Sequence, residues 1–308
     1  MEKLKIIVIC GPTAIGKTAA AIEIAKIFNG EIISADSMQV YRYMDIGTAK
    51  PTPLERAEVP HHLIDILNPD ESFDAAAFAA EARKTIETLC SKGILPIVAG
   101  GTGLYIRALL HGIFEGKTSD PDIRKRLKEQ AQAQGIDTLY QRLCECDPNT
   151  DIHPNDAFRI IRALEIFEIS GQPASEHRRQ HGFKDNPFDA LSIALFTDRE
   201  ILYDRINRRV DMMIEQGLID EVRMLLGLGY SLHLKSMQSI GYRHILDFMN
   251  GRFSYEETVQ LFKRDTRRYA KRQITWFKSE PDMIQIRPES WKELIPNIEN
   301  FLNIRGNR

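Results

Sequence analysis

The sequence predicts an α/β protein: a parallel sheet core flanked by helices, interrupted by an all-helical insertion. Three observations carry this expectation. Short apolar runs without polar alternation recur, as expected of strands covered on both faces. Helical stretches separate them, the order that winds a parallel sheet. Between residues 119 and 182 helical patterns follow one another with no convincing strand.

The elements follow in order. "LKIIVIC" (4–10) reads as the first strand, then come a Gly-rich turn and the helix "KTAAAIEIAKIF". "EIISA" is a second strand, and a helical stretch from Phe73 to Ser91 precedes a third, "ILPIVAGG" (94–101). The character changes near Gly116. "SDPDIRKRLKEQAQAQG" has a Ser/Asp cap, an early Pro121 and a closing Gly135; "NDAFRIIRALEIFEISG" starts at Asn155/Asp156 and stops at Gly171. A strand returns at "LSIALF" (191–196), followed by a long helix from Arg199 to Leu228. We therefore expect a core of residues 1–116 and 189–308 with C-terminal helices, and a helical insertion of residues 117–188.

Composition sets bounds. The 308 residues, 43% apolar and 27% charged, are those of a soluble globular protein. A net charge of −2 gives no global hint of nucleic acid, so any basic surface must be local. No apolar run approaches the ~18 residues of a membrane span, and no leader is expected before residue 4. Cys144-Glu-Cys146 is too tight for zinc spacing; the four scattered cysteines read as reduced, cytosolic thiols.

"GPTAIGKT" (Gly11, Pro12, Thr13, Ala14, Ile15, Gly16, Lys17, Thr18) satisfies G-x-x-x-x-G-K-[ST] between a strand and a helix. This makes the core P-loop NTPase-like. Loop N–H groups and the helix N-terminus converge on an anion. Lys17 neutralises phosphate oxygens, and the Thr18 hydroxyl is placed for Mg²⁺. The third strand ends in Gly100-Gly101-Thr102, without the acid that an NTP hydrolase would use to hold its metal. Asp65 in "HHLIDIL" reads as an ordinary turn or edge residue. The pattern favours a transferase with a phosphorylated donor over an ATP-driven machine.

Asp36 and Thr102 follow strand ends beside this loop, where ligands of doubly wound sheets bind. Asp36 is either a general base or the start of an Asx turn; Thr102 is a helix cap, a ligand contact, or both. Near the C-terminus "KRDTRRYAKRQITWFK" (263–278) carries seven Lys/Arg against one Asp. On a helix Arg264, Arg268, Arg272 and Trp276 repeat at i, i+4. That face is either solvated or suited to phosphates and bases.

"GPTAIGKT", "ISADSMQVYRYMDIGTAKP", "PHHLID", "GGTGLY", "NDAFRIIRALE", "SIGYRHI" and "RRYAKRQITWF" occur in this order across nearly the whole chain. Together they closely resemble the bacterial tRNA dimethylallyltransferase (tRNA isopentenyltransferase) family. The resemblance implies that the loop holds dimethylallyl diphosphate with Mg²⁺, and that the prenyl group passes to N6 of adenosine 37 in the tRNA anticodon stem-loop. It makes Asp36 the base, and puts Thr102 and an arginine, Arg209 rather than Arg205, at the reacting groups. Asp36, Ser37, Met38, Gln39 and Thr102 would line the flipped adenine. Arg124, Arg159, Arg162, Arg264, Arg268, Lys271, Arg272, Gln273 and Trp276 fall at the family's RNA contacts, and "SIGYRH" (239–244) at another RNA-facing segment. Read alone, Arg159 and Arg162 could equally be a surface pair stabilised by Glu165. The resemblance further implies a cytoplasmic monomer.

Three rival readings make different predictions. An adenylate isopentenyltransferase acting on free nucleotide needs neither the insertion nor the basic helix. A P-loop small-molecule kinase would have an adenine site and an arginine-rich lid, which "IRKRLK" could imitate. A non-catalytic RNA-binding protein would have no use for Lys17, Thr18 and Asp36.

Overall fold

A computed structural model describes residues 3–112, 120–181, 186–280 and 282–303, which form two compact units, 1–110 with 186–308, and 111–185. The first unit opens with β1 (Leu4–Cys10), α1 (Lys17–Phe28), β2 (Gly30–Ser34), α2 (Pro53–Glu58), β3 (His61–His62), α3 (Ala75–Ser91), β4 (Leu95–Gly100) and α4 (Gly103–His111). The second holds α5 (Pro121–Gln134), α6 (Ile136–Cys146), α7 (Ala157–Ser170) and α8 (Ala174–His181). The first resumes with β5 (Phe188–Leu195), α9 (Arg199–Glu215), α10 (Leu218–Gly227), α11 (Tyr242–Met249) and α12 (Tyr255–Lys278). It closes with β6 (Ile284–Ile286), a 3-10 turn (Pro288–Leu294) and α13 (Ile295–Leu302).

The six strands run parallel in the order β3-β2-β4-β1-β5-β6. Ile7, Ile9, Ile97 and Ile193 pack against Ile24 of α1 and Leu202 and Ile206 of α9. On α3, Phe78 stacks against Tyr105 of α4 at 4.6 Å. The strands carry apolar residues on consecutive positions because helices cover both faces. Register then positions the site: Cys10 pairs with Gly100, and Ser34 with Ala99. The residues that follow β1, β2 and β4 therefore emerge side by side at one edge of the sheet, where a crevice forms.

Four details differ from the sequence reading. The strand ending at Gly100 is fourth in chain order, because the two-residue β3 pairs with β2 before it. β5 begins at Phe188, opposite Leu4, not at Leu191. Asn186 opens the returning segment of the first unit, so the expected boundary at 188/189 shifts; the expected boundary at 116/117 lies outside the described residues. The helix expected from Arg199 to Leu228 is two helices, because Gly217 (φ 99°) takes the left-handed conformation and breaks the ladder.

The helical unit has its own core, including Leu127, Leu139, Leu143, Ile160 and Leu164. Asp120 and Asp156 cap α5 and α7 by accepting N–H bonds from their first turns. Among the described residues no helix is long and apolar enough to cross a membrane.

Candidate active site

The loop between β1 and α1 turns through left-handed backbone at Ala14 (φ 62°) and Gly16 (φ 105°), which brings Lys17 and Thr18 to the start of α1. Lys17 Nζ donates to Pro12 O at 2.9 Å, so the ammonium curls back over the loop. It faces a cleft of about 840 Å³ that Thr13, Thr18, Asp36, Arg209, Tyr269 and Gln273 also line. Burial and the neighbouring charge of Arg209 depress the Lys17 pKa to about 8, against the opposing pull of Asp36. Burial also lowers Arg209, and Asp36 again opposes the shift. Beside the phosphate loop, Lys17 and Arg209 thus stand with the single carboxylate of Asp36, a local arrangement suited to an anionic ligand. Arg205, the other arginine considered, is exposed and donates to Ile15 O at 3.4 Å.

Asp36 makes the Asx turn and lines the cleft at once: Oδ1 accepts from the N–H of Met38 at 2.8 Å and of Gln39 at 3.3 Å. The carbonyl of Thr102 starts α4 by accepting from Tyr105 and Ile106. Its hydroxyl instead accepts the N–H of Ser37 at 3.1 Å. Gln39 lines the cleft while its amide braces the wall, accepting from Ser34 Oγ at 2.9 Å and donating to Ala49 O at 3.2 Å. Ser37 and Met38 are half-buried beside it.

For metal, the hydroxyl of Thr18 is a hard oxygen donor at the loop end, as Mg²⁺ prefers. The described residues contain no cluster of three His, Cys, Asp or Glu that could bind a metal alone. A Mg²⁺ ion at Thr18 would therefore complete its shell with phosphate oxygens and water.

The far wall of the cleft was not legible in sequence. Lys50, its side chain 2% exposed, donates to Tyr41 O and to Asp45 at 2.6 Å and pairs with Asp65. Arg56 pairs with the other oxygen of Asp65 at 2.6 Å. Asp65 is therefore no ordinary turn residue: burial would raise its pKa, but Lys50 and Arg56 outweigh that and hold it below the usual carboxylate value. Glu221 accepts three consecutive backbone N–H groups, from Asp45 (2.9 Å), Ile46 (2.7 Å) and Gly47 (3.1 Å). Lys50 and Asp65 are 15 residues apart and Glu221 is 174 to 176 from its backbone partners, so no local pattern announces these contacts. The fourth bond to Glu221 comes from the Tyr242 hydroxyl. Tyr242 and His244 of "SIGYRH" are thus core residues, while Ser239, Ile240 and Arg243 of the same segment stay partly exposed.

On α12 the side chains of Arg264, Arg268, Lys271 and Arg272 are exposed. Arg264 and Arg268 share Asp265 with Arg243 of α11. Two residues expected on this face point inward. Gln273 is buried, donating to Gly101 O and accepting from Thr13 N–H, both at 2.9 Å, so its amide is engaged with the site itself. The half-buried Trp276 packs on Gly103, and the Arg107 guanidinium covers its ring at 4.3 Å. Packing explains both positions: Gln273 is enclosed, while Trp276 keeps part of its surface accessible.

In the helical unit, Arg124 and Arg162 converge on the buried Glu165 at 3.0 and 2.8 Å, and Arg159 pairs with Asp156 at 3.4 Å. Burial would raise the Glu165 pKa, but Arg162, the N–H of Asp120 and Arg124 together lower it.

Comparison with known proteins places this geometry in context. The IPP transferase family pattern matches residues 39–280, and the isopentenyl transferase pattern matches residues 4–66. The chain is 55% identical to the tRNA dimethylallyltransferase of Desulfosudis oleivorans over 95% of this chain and 94% of that one. It is 49% identical to that of Desulfatibacillum aliphaticivorans, covering 98% and 99% of the two chains. Among solved structures, the tRNA isopentenylpyrophosphate transferase of Bacillus halodurans superposes with a TM-score of 0.74 at 42% identity, over 98% of this chain and 97% of that one. A eukaryotic dimethylallyltransferase captured acting on tRNA gives a TM-score of 0.81 at 29% identity, over 99% and 81%.

Proposed function

The chain belongs to the IPP transferase family, and from that premise we propose that it transfers a dimethylallyl group from dimethylallyl diphosphate to N6 of adenosine 37 in tRNA. The observation that carries the reading is the placement of Asp36 in one cleft with Lys17, Thr18 and Arg209.

The loop N–H groups, Lys17 and Arg209 bind the diphosphate and stabilise the charge that grows on it as the allylic C–O bond breaks. Mg²⁺ held at Thr18 would supply further neutralisation of the leaving group. The adenine N6 is a weak nucleophile because its lone pair feeds the ring. As its bond to the prenyl carbon forms, it must lose a proton, and Asp36 accepts that proton. The Asx turn fixes Oδ1 of Asp36 on backbone N–H groups, which orients the carboxylate before substrate arrives.

An adenine inside a stem-loop must leave its stack to reach a cleft at the sheet edge. The exposed Arg264, Arg268, Lys271 and Arg272 on α12 supply phosphate contacts, and so do Arg124, Arg159 and Arg162 on the helical unit.

The test is incubation with Mg²⁺, labelled dimethylallyl diphosphate and an anticodon stem-loop containing adenosine 37. Label should enter the RNA, and Asp36→Asn should lose about 10²- to 10⁴-fold in rate while still binding donor. Label in AMP but not RNA would move the chain to the free-nucleotide enzymes. ATP consumption without prenyl transfer would make it a kinase.

A further inference from the structure

Helix α12 turns one buried polar residue toward the sheet edge. Gln273 is 6% exposed, on the stripe formed by Phe262, Ala270 and Phe277. Its Oε1 accepts the N–H of Thr13, within the phosphate loop, at 2.9 Å. Its Nε2 donates to the carbonyl of Gly101, at the end of β4, at 2.9 Å. One side chain therefore bridges the two halves of the reaction. Thr13 belongs to the loop that holds the leaving group. Gly101 precedes Thr102, whose N–H donates to Ala35 O at 3.2 Å and whose hydroxyl holds the N–H of Ser37; Asp36 lies between those two residues.

A primary amide suits this bridge because it donates at one end and accepts at the other. A carboxylate would face the Gly101 carbonyl with an oxygen, and a hydrocarbon would leave two polar groups unsatisfied in the interior. Residue 101 is matched to it: a Cβ there would stand 2.3 Å from Nε2. We propose that Gln273 is a positioning residue that sets the separation between the diphosphate loop and the strand ends carrying Asp36 and Thr102. The inference rests on the prenyl-transfer reading. Attack requires N6 and the prenyl carbon to meet at about 3–3.5 Å, and a displacement of about 1 Å costs on the order of 100-fold in rate. Both ends of the Gln273 amide are engaged within the protein, so loss of the bridge should fall on turnover more than on binding of either substrate.

Two variants break the bridge from opposite sides. Gln273→Met keeps the volume and removes both hydrogen bonds. Gly101→Ala leaves Gln273 chemically intact and pushes Nε2 off the carbonyl. Each is assayed for label transfer to the stem-loop, with kcat, KM for donor, KM for RNA and the thermal midpoint measured. We expect kcat to fall about 30- to 100-fold in each, with both KM values within about threefold of wild type. The double variant should be no slower than the slower single one, since both remove the same bridge. Should Gln273→Met fail to fold, Gly101→Ala decides alone. A kcat within threefold of wild type, a loss confined to KM, or kcat losses that multiply in the double variant would overturn the proposal. Wild-type protein that transfers no label would instead sink the prenyl-transfer reading, which separates the two failures.

Discussion

The hydroxyl of Thr102 accepts the backbone N–H of Ser37 at 3.1 Å, and this bond latches the end of β4 to the turn that carries Asp36. Thr102→Ser keeps the oxygen and should retain turnover within a few-fold. Thr102→Ala leaves the Ser37 N–H without its acceptor, a cost of about 1–3 kcal/mol that should appear as a loss of about 10- to 100-fold in kcat. Steady-state rates of the two variants decide the matter: equal activity would mean that the latch contributes nothing to the reaction.

Lys17 sets a pH limit on donor binding. Its folded pKa is depressed to about 8, chiefly by burial and then by Arg209, and the diphosphate binds best to the ammonium form. Above pH 8 the donor Kd should therefore rise about tenfold per pH unit, while below pH 8 this contribution should be flat. In Lys17→Arg the guanidinium keeps its proton throughout the range, so the slope should vanish even if affinity is lower. Without donor the sign is opposite for stability. The unfolded lysine holds its proton to about pH 10.4, so the unfolded chain binds more protons between 8 and that value, and stability rises with pH across the window. Calorimetric titration with the donor at several pH values, and thermal unfolding without it, check both slopes.

Features decided by neighbouring residues were legible in the sequence, and features decided by distant ones were not. Helix α1 spans "KTAAAIEIAKIF" as expected, because a strand, a loop and an apolar stripe are local signals. Asp156 and Gly171 bound α7 for the same reason. On α12 the i, i+4 row from Arg264 to Trp276 looked like one face, but each such step drifts by about 40°, so the row turns about 120° by its last member. That rotation carries Trp276 off the exposed face and onto Gly103. Gln273 was readable, since it shares the stripe of Phe262, Ala270 and Phe277; its basic neighbours masked the signal. No spacing rule could have joined Glu221 to Gly47, because that contact exists only after the sheet has assembled.

Glu221 holds one wall of the cleft. The residue is 8% exposed, and its carboxylate accepts four bonds, three from backbone N–H groups and one from Tyr242. Burial, followed by the charge of Glu221, raises the Tyr242 pKa far above that of an ordinary phenol, so the hydroxyl remains the donor at any working pH. Glu221→Gln puts an NH₂ group among N–H donors and removes the charge from the remaining bonds, which should cost about 3 kcal/mol of stability. Urea unfolding measures it. A loss below about 1 kcal/mol would mean that the turn at Asp45–Gly47 holds its shape without this anchor.

The exposed row on α12 makes a prediction about salt. If Arg268 and Lys271 touch RNA phosphates, each should release about one counterion on binding. Arg268→Ala combined with Lys271→Ala should then weaken stem-loop binding and lower the slope of log K against log salt by about 1.5–2. The loss should be similar for stem-loops of different sequence, because phosphate contacts carry no base information. Lys84→Ala is the control: that lysine is exposed on α3, paired with Glu81 at 2.8 Å, and its loss should leave the slope unchanged. Donor affinity without RNA should be the same in all three proteins. An unchanged slope in the double variant would reduce this row to a solvated face and leave the helical unit, with Arg124, Arg159 and Arg162, as the main RNA contact.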